Sequence, residues 1–163
     1  MSRHSALPSA RRQVGLIVGA FAAVGVALGV VGFVVSRWAR TQFVTAATGA
    51  DPTTFGPVFL ALSTFQTTVT LFFAGPVVAA ALGLLSGSRF ADAGTGGLVA
   101  AAGALVGFFV MAGAGLAGIS LLSGPGTGQT YALAGAVGPL LLSGVATAAT
   151  GGVAGLLGSR FVR

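Results

Sequence analysis

PVFLALSTFQTTVTLFFAGPVVAAALGLLSGSRF, residues 57–90, decides the fold. No charge appears in it before Arg89. At about 1.5 Å per residue, a helix of this length crosses a hydrocarbon core of about 30 Å with tilt to spare. It is also the uncharged run with a dense polar patch inside it: Ser63, Thr64, Gln66, Thr67, Thr68 and Thr70. It closes on Ser88-Arg89-Phe90, and Ser159-Arg160-Phe161 repeats that ending near the last residue.

Working outward, the whole chain shares this character. Of 163 residues 55% are apolar and only 6% charged, against about 25% charged in a soluble domain. So few charges do not cover a water-facing surface, so lipid is the solvent for most of the chain. The charges fall between apolar runs. Arg3, Arg11 and Arg12 precede the first; Arg37, Arg40 and Asp51 follow it; Arg89 and Asp92 separate the second from the third; Arg160 and Arg163 come last. This spacing predicts an all-α, polytopic membrane protein: a basic tail over residues 1–12, then one membrane domain over 13–163. Its four spans are 13–36, 57–86, 98–122 and 131–157.

The first run is longer than the roughly 7 to 15 apolar residues of a signal peptide. It leads into Arg37-Trp38-Ala39-Arg40 rather than a cleavage site, so it reads as an uncleaved span. With four spans, both termini share a side. Arg3, Arg11, Arg12, Arg89, Arg160 and Arg163 lie there, and only Arg37 and Arg40 lie opposite. The positive-inside rule then puts both termini in the cytoplasm of a cell whose plasma membrane holds the protein, with Arg11, Arg12, Arg89 and Arg160 setting the topology. Trp38 and Tyr131 fall at the outer interface, a depth that amphipathic rings favour.

Several function classes are disfavoured. The net charge of +6 comes from arginines spread singly at span ends, so no nucleic-acid partner is expected. No cysteine occurs, which removes disulfides and thiolate chemistry. No span contains an ionisable side chain, whereas proton-coupled pumps and intramembrane hydrolases depend on such groups. Asp51 and Asp92 lie on opposite sides and form no carboxylate pair. Hence no catalytic, cofactor-binding or metal-ligating residue is expected, no cofactor, and no enzyme.

What remains is polarity and small residues. On a helix of about 100° per residue, Ser63, Gln66, Thr67 and Thr70 share an arc, with Phe65, Val69 and Phe72 opposite. Ser143, Thr147 and Thr150 repeat the i, i+4, i+7 spacing on the fourth span. These seven form a candidate polar face, interhelical or pore-lining. Hydroxyls can bond their own i−4 carbonyl, but an amide cannot. Counted from Phe59, Gln66 lies about 10 Å inside the outer interface, and a bond to Ser143 or Thr147 is expected.

The pairs Gly15/Gly19, Gly25/Gly29, Gly83/Gly87 and Gly103/Gly107 show GxxxG spacing, and Gly144, Ala148 and Gly152 extend it. Small residues four apart let another backbone approach closely. Two functions follow as expectations. One is a structural or accessory protein that binds itself or another membrane protein through such faces. The alternative is a passive channel or small-solute transporter built around the polar face.

The segments 83–90 and 155–161 resemble each other, as do Val31-Gly32-Phe33 with Val106-Gly107-Phe108, and Gly75-Pro76 with Gly138-Pro139. These resemblances fit two hairpins in one orientation, although their offsets of 71, 75 and 63 positions share no single register. The two Gly-Pro pairs also predict kinks.

Overall fold

The computed structural model describes residues 6–39, 52–120 and 133–161. They form four helices: α1 (Ala6–Ala39), α2 (Pro52–Gly87), α3 (Ala93–Ser120) and α4 (Leu133–Phe161). Each is long and apolar enough to cross a membrane, over Ala10–Val35, Val69–Gly87, Ala93–Gly118 and Val137–Phe161. The protein is an all-α, four-span membrane bundle.

The helices outrun the predicted spans, for local reasons. α1 begins at Ala6, inside the expected tail. Pro8 is tolerated because the first N–H groups of a helix have no intrahelical partner. α2 begins at Pro52, whose fixed φ suits a first helical position. Its 36 residues span about 54 Å, well beyond one bilayer core. α3 begins at Ala93, not at 98, so Gly94, Thr95, Gly96 and Gly97 are helical despite their turn-forming character. Asp92 explains the start. One of its carboxylate oxygens accepts from Thr95 N–H at 2.7 Å and from the Thr95 hydroxyl at 2.6 Å, which caps the helix. Both Gly-Pro pairs lie within continuous helix. Tyr131 lies outside the described residues, and Trp38 is exposed in the last turn of α1.

Contacts fix the directions. Ile17, Phe21 and Gly25 of α1 meet Gly103, Gly107 and Met111 of α3 in ascending order, so these helices run parallel. Gly75, Gly83 and Gly87 of α2 meet Thr147, Gly151 and Gly155 of α4, also parallel. α3 and α4 run antiparallel, from Gly97 against Leu156 to Phe109 against Gly144. Among the described residues α1 does not approach α4. The starts of α1 and α3 and the ends of α2 and α4 therefore share one end of the bundle.

The core is built by large side chains seated on glycines. A buried cluster joins Ile17, Phe21, Leu71, Ala79, Ala104, Phe108 and Met111. Phe21 sits on Gly107, Leu71 on Gly115, and the fully buried Phe108 on both Gly75 and Gly144. Lipid is as apolar as leucine, so association rests on dispersion and close backbone approach. Glycine makes room for both.

Candidate functional site

Three features were candidates: the polar face, the small-residue faces and the arginine-rich end. The structure separates them.

The polar face does not form as one surface. α2 turns Leu71, Gly75, Ala79, Gly83 and Gly87 inward. Gln66 and Thr70 are exposed on the stripe that continues through Phe73 and Val77. Phe65 faces outward as expected, but Phe72 is half-buried against the core. Ser63 and Thr67 belong to α2, with side chains outside the described residues. On α4, Thr147 is fully buried, and Ser143 and Thr150 are half-buried. The hydroxyl of Thr147 lies against Gly75, nine residues from Gln66, or about 13 Å along the helix.

The expected bond from Gln66 to Ser143 or Thr147 is therefore not made. The hydroxyls bond within their own helices instead. Thr147 donates to the Ser143 carbonyl at 2.7 Å, Thr150 to the Ala146 carbonyl at 2.8 Å, and Thr70 to the Gln66 carbonyl at 2.9 Å. Self-satisfied hydroxyls need no place in the core. The interface follows the glycines, which allow closer approach than any hydroxyl does.

The depth of Gln66 follows from the helix register. Leu71 packs on Gly115, and Gly118 packs on Gly29. Gln66 then lies near the level of Ser120, within about two turns of Arg37.

The glycine pairs sort into two kinds. A Cβ on Gly25 would fall 2.6 Å from the Met111 carbonyl oxygen, and one on Gly118 would fall 2.8 Å from the Gly29 Cα. Gly83 is as close to the Gly151 carbonyl, at 2.6 Å. Gly87 lies against the Gly155 backbone and Gly158 against the Leu84 carbonyl. Gly103 and Gly107 receive Ile17 and Phe21. On α4 the face toward α2 runs through Thr147, Gly151, Ala154 and Gly158, while Gly144 and Gly152 turn to α3. Gly15 and Gly19 differ from all of these. Both are exposed, with nothing among the described residues within 4 Å of where a Cβ would stand. Ala23 and Ala27 continue that face and are exposed too.

The sequence resemblance of residues 83–90 and 155–161 has a spatial counterpart. Gly87 meets Gly155, 68 positions on, and Leu84 meets Gly158, 74 positions on. The mean offset is 71, which sets Arg89 level with Arg160. The Gly-Pro pairs do not correspond in this way, because Gly75 is level with Thr147 rather than Gly138. Nor do 31–33 and 106–108, because Gly107 is level with Phe21.

Comparison with protein-family models, curated proteins and solved structures finds no match to this chain.

Proposed function

We propose that this is a structural or accessory protein of the plasma membrane, not an enzyme, that associates with itself or with another membrane protein through a small-residue helix face. The observation that carries the reading is the outward face of α1, where Gly15, Gly19, Ala23 and Ala27 stand exposed at four-residue spacing. The buried pairs of the same spacing hold helices together in this fold. The α1 face has the same chemistry and no helix on it among the described residues.

The experiment uses the absence of cysteine. A single cysteine at Gly19 should form a disulfide-linked dimer in membranes if the partner is a second copy. A photo-reactive residue at Ala23 should give one discrete heavier adduct if the partner is another protein. Gly15→Leu with Gly19→Leu should abolish either product while leaving thermal stability unchanged. Absence of both products, or their persistence in the double variant, would overturn the reading.

Orientation belongs to the same proposal, with both termini cytoplasmic. The six-to-two division of arginines supports it. A cysteine at Thr48 should be labelled from outside intact cells, and one at Gly94 should not. Outside labelling of Gly94→Cys would reverse the orientation.

One observation favours a second reading. Gln66 and Thr70 form an outward polar strip on α2. A ring of copies with those strips facing a common axis would line a short polar path. Solute flux into sealed vesicles tests it: Gln66→Leu should block flux with the fold intact, and wild-type vesicles without flux would eliminate it.

A further inference from the structure

The arginines have a geometry that topology alone does not require. Arg89 and Arg160 are level, two residues beyond the glycines where α2 and α4 touch. Arg11 is level with Gly97, because Ile17 packs on Gly103 six residues further along both parallel helices. Gly97 packs on Leu156, one turn before Arg160. The four arginines therefore occupy a band about one and a half turns deep, or roughly 8 Å.

All four are exposed. One turn toward the bundle centre from Arg12, Arg89 and Arg160 stand Leu16, Leu85 and Leu156, at 54%, 66% and 39% exposure. Arg12 and Arg160 thus stand on the exposed faces of α1 and α4, and Arg89 in the turn after α2, each about one turn from an exposed apolar side chain. Phe161, 83% exposed, stands beside Arg160. Compensating charge is scarce: the chain has two acidic side chains, and among the described residues Asp92 lies at this end, where one of its oxygens accepts from Thr95.

We propose that Arg11, Arg12, Arg89 and Arg160 form a collar that binds the phosphates of anionic phospholipids in the leaflet at this end of the bundle. Arginine suits the task. Its planar fork bonds phosphate oxygens in pairs and keeps its charge at every relevant pH. The stem covers the exposed leucine below while the head reaches the headgroup. The collar would hold an annulus of anionic lipid against three of the four helices.

Nanodiscs give a test that is independent of cellular topology. The purified protein is loaded into discs of phosphatidylcholine containing phosphatidylglycerol, and the lipids retained on release are weighed by native mass spectrometry. Phosphatidylglycerol should be retained in preference to phosphatidylcholine. Arg89→Gln with Arg160→Gln should weaken retention by about fivefold per arginine removed, from the usual worth of one basic side chain at an anionic surface. Arg89→Lys with Arg160→Lys should retain most of the binding, which separates loss of charge from loss of fold. Arg37→Gln, at the other end, should change nothing. Millimolar inorganic phosphate should not displace the lipid; displacement would make the site one for free phosphate and overturn the proposal. Equal retention of the two lipids, an unchanged Gln double variant, or an equal effect of Arg37→Gln would each overturn it as well.

Discussion

Two glycine pairs with the same spacing meet opposite surroundings in this protein. Gly83 and Gly87 lie where α2 touches the backbone of α4, and each would drive a Cβ into a neighbouring main chain. Gly15 and Gly19 lie on α1 with nothing among the described residues where a Cβ would stand. Spacing is a necessary condition for close approach and carries no information about which helix, if any, takes it up. Only the buried pairs make close contacts within the bundle; the exposed pair makes none among the described residues.

Substitutions that fill these positions should rank by what they strike, and any inversion of the order would break the comparison. The largest effect is expected at Gly87. A methyl there meets the backbone of Gly155, which cannot rotate away, so Gly87→Ala should destabilise by about 3 kcal/mol or more, at the upper end for overpacking. Steric-trap unfolding in bicelles would measure it. Gly25→Ala strikes the Met111 carbonyl at 2.6 Å and should cost about 2 to 3 kcal/mol in the same assay.

Gly75→Ala is a sharper case. Its new methyl meets side chains, the Phe108 ring and the Thr147 hydroxyl, both at 2.7 Å. Side chains shift more readily than backbone, so a loss of about 1 kcal/mol is expected. Thr147→Val keeps the shape and removes a bond that stays within its own helix. It should change stability by about 0.6 kcal/mol or less. A large loss there would mean that the hydroxyl, and not the glycine opposite it, holds α2 to α4.

The smallest effects belong to the outward surfaces. Gly19→Ala should leave stability within about 0.5 kcal/mol of the wild type, or raise it slightly, since alanine is the better helix former. Gln66→Leu should be similarly mild, because the amide is exposed on the outer face of α2.

Much of the architecture was legible in the residues. Uncharged runs longer than a bilayer is thick, separated by arginines and turn formers, leave no alternative to four apolar helices when backbone groups must be satisfied internally. The helix ends were legible only approximately. Gly94 to Gly97 reads as a turn, yet Asp92 caps a helix through it, and Gly96 and Gly97 are needed where α3 meets Gly155 and Leu156. The inward face of α2 was not legible at Phe72, Gln66 and Thr70, because polarity does not report burial in lipid. In lipid a hydroxyl bonded to its own helix is indifferent to burial, and the approach of backbones decides instead.

By itself, then, the sequence determined that the chain is helical, that it crosses a membrane four times, and that its arginines gather toward two sides unequally. Those properties follow from composition and length, which act locally on each segment. Only the tertiary structure decided that α1 pairs with α3 and α2 with α4 in parallel, that Arg89 stands level with Arg160, and which glycine pair remains open. Such choices depend on the register between segments separated by about 70 to 90 positions. In a chain with 28 glycines, many registers satisfy the spacing, and the one adopted is the one that seats Ile17, Phe21, Leu71 and Phe108 on glycine at the same time.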